Sequence, residues 1–91
     1  MIIEKQFSGA RYAVFKIAIP VGEKLVFPVR LHSTSIVFIL SGAVQTPDFE
    51  VWLPLQTIQA PESLMAIGKI PAELIEIRTG SYLGDDDIVT S

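Results

Sequence analysis

Residues 12–19 read Tyr12-Ala13-Val14-Phe15-Lys16-Ile17-Ala18-Ile19, and the order of these side chains decides the fold. Ala13, Phe15, Ile17 and Ile19 occupy every second position, so an extended chain puts them on one face, whereas a helix would spread them around its axis. The same period of two returns near the other end, where Ile75 and Ile77 lie opposite Glu76 and Arg78. Outward from these two stretches, short runs rich in Ile, Val, Phe and Thr predict strands over 2–7, 12–19, 24–31, 35–40, 43–46, 49–53, 55–59, 63–67 and 72–79. The run Ile36–Leu40 is apolar on both faces, as expected of a strand lying between a barrel interior and a second sheet or subunit.

The breaks have chemical causes. Pro20-Val21-Gly22-Glu23 and Ser41-Gly42 supply turn residues, and Thr46-Pro47-Asp48 reads as a hairpin tip. Pro54 and Pro71 cannot donate to a ladder and belong at strand starts or edges. No stretch keeps a 3.6-residue period over a helix's length; the best helical candidate is Glu62–Ile67, little more than one turn. Short, closely spaced strands without helices predict an all-β sandwich or barrel, with residues 1–91 forming one domain.

Composition narrows the partners. Apolar residues make up 49% of 91 positions, and the mean hydropathy is +0.47. So small a domain has too little interior for that much apolar surface, so part of it is expected on an outer face covered by a second copy, in a homodimer. The net charge is −3 and the seven Lys and Arg are scattered, which argues against a nucleic acid partner. The chain has no cysteine, hence no disulfide, thiolate metal site or cysteine nucleophile. Met1–Phe7 lacks the pattern of a signal peptide, and no apolar run reaches the roughly 20 residues that span a bilayer. A cytoplasmic location is the expectation. Asp85-Asp86-Asp87 reads as a solvated acidic turn rather than a cation site, since no calcium-loop spacing accompanies it.

The segment Leu74-Ile75-Glu76, Gly80-Ser81-Tyr82-Leu83-Gly84, Asp86-Asp87-Ile88-Val89 closely resembles the end of the C-terminal cupin domain of type II mannose-6-phosphate isomerases, often fused to mannose-1-phosphate guanylyltransferases. Arg11-Tyr12, Gly22, Leu25, His32 and Ser41-Gly42 fall in register with the same family. The resemblance implies a small cupin, an RmlC-like jelly-roll barrel of two antiparallel sheets closing on a pocket, often paired as dimers. It also implies a metal site that this chain lacks. The general cupin frame, with Gly22 and Gly42 at its ends, sets the ligand positions on Pro28, Arg30 and Ser35; the isomerase register sets them on Arg30, His32 and Ser35, with a further histidine position near Glu62. A divalent ion needs three or four converging donors. Arg30 is a permanent cation, Pro28 carries no donor, and Ser35 is a weak ligand. Ser33 and Thr90 stand where the isomerases carry basic residues.

These readings nominate Arg30, His32, Ser35 and Glu62 as a ligand pocket, with no catalytic residue, metal or cofactor assigned. His32 is either a remnant ligand or base, or a packed pocket side chain. Arg30 either binds an anion through its fork or forms a structural ion pair with Glu62. Trp52 is a core or interface residue before it is a sugar-stacking platform, and Thr79-Gly80-Ser81 a structural turn before it is an anion nest. Ser33, Ser35 and His32 lack an orienting carboxylate and form no Ser-His-Asp arrangement. The expected function is a non-enzymatic, metal-free cupin module binding a small carbohydrate-like or anionic ligand, or a protein. The alternatives are a sugar-phosphate isomerase-like enzyme with a rebuilt site, and a structural or regulatory subunit of a larger assembly.

Overall fold

The computed structural model describes residues 1–80. Among them are nine strands and no helix: β1 Ile2–Ser8, β2 Tyr12–Ile19, β3 Lys24–Val26, β4 Ser33–Ser41, β5 Ala43–Gln45, β6 Val51–Trp52, β7 Thr57–Gln59, β8 Ser63–Ile67 and β9 Ala72–Gly80. They build two antiparallel sheets, one in the order β1-β2-β9-β4-β7 and one in the order β3-β8-β5-β6. The expected all-β architecture of two antiparallel sheets is therefore present. From β2 onward the chain passes repeatedly from one sheet to the other, which closes the layers on each other.

The alternation of Ala13, Phe15, Ile17 and Ile19 does set the inner face of β2; Ala13, Ile17 and Ile19 are buried. Ile17 lies opposite Leu74, and Leu74 opposite Ile39, so one apolar row crosses the five-stranded sheet. Val44, Leu64 and Ala66 answer from the smaller sheet and complete the core. Burying such side chains at about 25 cal/mol per Å² of apolar surface drives the closure.

The third strand differs from its expected bounds. The strand over 24–31 ends at Val26. The amide of Phe27 still donates to the Glu62 carbonyl at 3.0 Å, but Pro28 has no amide to continue the ladder. Apart from a single bridge at Arg30, the chain beyond Phe27 leaves the sheet, and Pro28–Arg30 become part of the wall of a cleft. The strand expected over 63–67 is β8, which pairs with β3 on one edge and β5 on the other, so the short helical alternative over Glu62–Ile67 is not formed. A helix there would leave both neighbours' backbone groups unsatisfied.

Gly42 makes the passage from β4 to β5. Its φ is +79°, and a Cβ there would lie 2.6 Å from the Pro71 carbonyl oxygen and 2.8 Å from the Ala72 Cα. Only glycine fits both the left-handed backbone and the close approach of the chain before β9. Among the described residues, no helix is long and apolar enough to cross a membrane.

Candidate functional site

The polarity of the barrel interior changes along its axis. Next to the Ile17–Leu74–Ile39 row runs Phe15–Glu76–Val37, and beyond it Ala13–Arg78–Ser35. The dry end is thus aliphatic, and the other end carries charge. Glu76 is only 4% exposed. Its carboxylate accepts a hydrogen bond from Ser35 Oγ at 2.5 Å and lies 3.4 Å from Arg78 Nη2. The Arg78 guanidinium also stacks 4.5 Å from the centre of the Phe15 ring, and Lys5 Nζ lies 5.9 Å from the same ring. A buried carboxylate survives in such a place only when partners compensate its lost hydration. Here the compensation is one guanidinium and one hydroxyl.

The charged end opens into a cleft of about 410 Å³. Phe27–Arg30, released from β3, form one wall, Ser33–Ser35 at the start of β4 a second, and Ala60–Glu62 a third. The last wall is anchored by the Ala60 amide, which donates to the Ser35 carbonyl at 2.7 Å, with Ala60 held at a φ of +46°. Arg30 Nη1 is buried without a hydrogen-bond partner, and so is Arg78 Nε behind Ser35. Each is an N–H of a permanent cation withdrawn from water.

Of the four nominated residues, Arg30, Ser35 and Glu62 line this one cleft. His32 is exposed and lies outside the lining. Arg30 and Glu62 share the cleft without forming an ion pair among the described residues; the pair inside the barrel is Arg78–Glu76. Glu76 and Arg78 were not nominated. A signal existed, since they continue the every-second-residue series of Ala72 and Leu74, both buried. The sequence alone leaves open which side of β9 faces the second sheet.

Trp52 packs against the core from the smaller sheet. It also lines a second cleft of about 360 Å³ with Asp48, Glu50 and Glu62, and its indole Nε1 is buried without a partner. At the hairpin tip, Thr46 Oγ1 donates to the Asp48 carboxylate, which holds that carboxyl below its usual range. The Asp85-Asp86-Asp87 segment lies outside the described residues, as does Ser81 of the Thr79-Gly80-Ser81 turn.

The cleft does not fit the divalent metal of other barrels of this kind. Arg30 contributes a cation, Pro28 no donor, and Ser35 a hydroxyl already donated to Glu76. Among the described residues, no three His, Cys, Asp or Glu side chains converge. Among the described residues, the cleft does not supply the three or four donors such an ion requires.

Residues 4–91 match the family model described as "Mannose-6-phosphate isomerase C-terminal". The chain is 35% identical over 92 residues to the mannose-1-phosphate guanylyltransferase RfbM of Salmonella typhimurium, covering 90% of this chain and 19% of that protein. It is 36% identical over 87 residues to the alginate biosynthesis protein AlgA of Pseudomonas syringae pv. tomato, covering 88% of this chain and 18% of that one. It thus spans about a fifth of the length of these relatives. Among solved structures, TT1209 from Thermus thermophilus superimposes with a TM-score of 0.76 at 18% identity, over 88% of this chain and 83% of the other. The cupin domain of Cnp3 from Schizosaccharomyces pombe does so with a TM-score of 0.75 at 18% identity, over 86% and 63%. At such identities the likeness speaks to fold alone, and the fold is that of a cupin.

Proposed function

This chain belongs to the mannose-6-phosphate isomerase C-terminal family, and we propose that within it the chain is a non-enzymatic module whose cupin cleft binds a small polar ligand without a metal ion. One observation carries the reading. Where the cupin frame calls for metal ligands, the cleft presents Arg30, with Nη1 buried and unpartnered. A fixed cation at that place repels a divalent ion and attracts an anionic or hydrogen-bond-accepting group. The purified chain is dialysed against zinc, manganese, nickel and iron and analysed for metal, then assayed as a mannose-6-phosphate isomerase with each ion added. The expected outcome is substoichiometric metal and no turnover. Stoichiometric uptake of any of the four, or isomerase activity, refutes the reading.

A second copy of the chain is proposed to cover the outer face of the five-stranded sheet. That face carries Phe7 at 59% exposure, with Tyr12, Ile36 and Ile77 also exposed. Val14, Ile77 and Ile36 lie side by side in register, with Ile75 beside Phe38. Lys16 and Glu73 stand on the same face, so a two-fold axis can bring the lysine of one copy near the glutamate of the other. Four strands of seven to nine residues and the three-residue β7, about 4.8 Å apart, make a face of roughly 600 Å². That approaches the roughly 800 Å² per partner of a standard stable interface. Sedimentation is expected to give a dimer that Ile77→Lys converts to monomer; a wild-type monomer at micromolar concentration defeats this.

A further inference from the structure

Resting on the binding-module reading, we propose that the ligand is a polyhydroxylated monocarboxylate, a sugar acid in chemical class, whose carboxylate is held by Arg30. The argument begins with charge. At the charged end of the barrel and its cleft, Lys5, Arg30 and Arg78 outnumber Glu62 and Glu76 by one, the Asp48 and Glu50 carboxylates lying in the second cleft. The chain as a whole is at −3, so this is a local reversal of sign. A carboxylate balances it, whereas a phosphate monoester, at about −1.5 to −2 near neutral pH, overshoots it beside Glu76.

Hydrogen bonding points the same way. The donor lacking a partner in the cleft wall is Arg30 Nη1, and a carboxylate oxygen is its natural acceptor. Arg78, in register with Ser35 and carrying its own unpartnered Nε, stands behind as a second fixed cation. Two further polar groups of the cleft ask for donors. Ser35 has committed its hydrogen to Glu76, so its oxygen offers lone pairs. The Glu62 carboxylate at the rim is exposed and accepts as well. A ligand meeting both demands has one carboxylate and several hydroxyls. The cleft volume of about 410 Å³ equals roughly fourteen waters at about 30 Å³ each, room for a six-carbon sugar acid.

The test titrates the full chain calorimetrically with D-glucuronate, D-glucose and D-glucose 6-phosphate, while the amides of Ser35 and Ala60 are followed by NMR. Glucuronate is expected to bind and move both amides, and to bind more tightly than either competitor. Arg30→Gln, in the loop after β3, is expected to weaken glucuronate by about tenfold or more, the loss of one charge-assisted bond, while the circular dichroism spectrum stays that of the parent. Arg78→Gln is expected to weaken it by a smaller factor. Equal binding of glucose, or an Arg30→Gln variant with undiminished affinity for glucuronate, overturns the proposal. Tighter binding of the phosphate ester overturns the carboxylate assignment and leaves the binding-module reading standing. Silence of both amides with all three probes at millimolar concentration overturns the ligand class; stoichiometric metal uptake overturns the module reading itself.

Discussion

Replacing Glu76 by leucine removes the acceptor of two interior donors at once. Ser35 Oγ loses a bond of 2.5 Å, and Arg78 loses a carboxylate 3.4 Å away. The Arg78 side chain is 15% exposed, so its charge is left largely without water. At that distance and an effective dielectric constant near 20, the Coulomb attraction is about 5 kcal/mol. Desolvation of both groups offsets most of this, so the pair itself contributes little. The stranded guanidinium is the larger effect, and Glu76→Leu is expected to destabilise by about 3–5 kcal/mol. Removing the charge as well, in Glu76→Leu/Arg78→Met, is expected to restore stability to within about 1 kcal/mol of the parent, the remainder being the orphaned Ser35 hydroxyl. Urea unfolding at pH 7 followed by circular dichroism measures all three proteins. A double variant as unstable as the single one refutes the reasoning, because the cost would then not lie in the uncompensated charge.

Gly42→Ala and Gly22→Ala form an informative pair, since both residues have positive φ but only Gly42 has backbone atoms within 3 Å of the added Cβ. The first is expected to lose about 3 kcal/mol and the second about 1, the left-handed cost alone, which thermal unfolding separates readily; equal losses exclude the crowding argument. Thr46→Val removes the hydrogen bond that depresses the Asp48 carboxyl. A depressed folded-state value stabilises above the unfolded-state pKa and loses that contribution as pH falls through the folded one, so the variant's Asp48 carboxyl should titrate at higher pH by NMR and the protein should lose its small advantage at neutral pH. Trp52→Phe deletes an indole N–H that is buried without an acceptor. Stability is expected to change by no more than about 1 kcal/mol, against about 3–5 for Trp52→Ala, in urea titrations.

The strands were legible because their signal is local. Ala13 through Ile19 alternate, and the actual β2 covers the same residues, 12–19. The family was legible because the residues from Leu74 to Val89 carry its pattern, and the expectation of a metal-free cleft rests on the identities of Pro28, Arg30 and Ser35. The strand over 63–67 is legible too, although the apolar-rich residues from Glu62 onward also suit a short helix; the pairing of β8 with both β3 and β5 decides between them. The strand expected over 24–31 stops at Val26, because its composition suits a strand up to the point where Pro28 ends the ladder.

The sequence by itself determined that this chain is a β protein of the cupin kind. Only the tertiary structure decided that Glu76 and Arg78 point inward beside Ser35, and that Arg30 and Glu62 line one cleft from distant parts of the chain. The reason is geometric. A period of two tells which side chains share a face, but the side on which the second sheet lies, and which loops meet over the open end, follow from contacts between residues far apart in the chain.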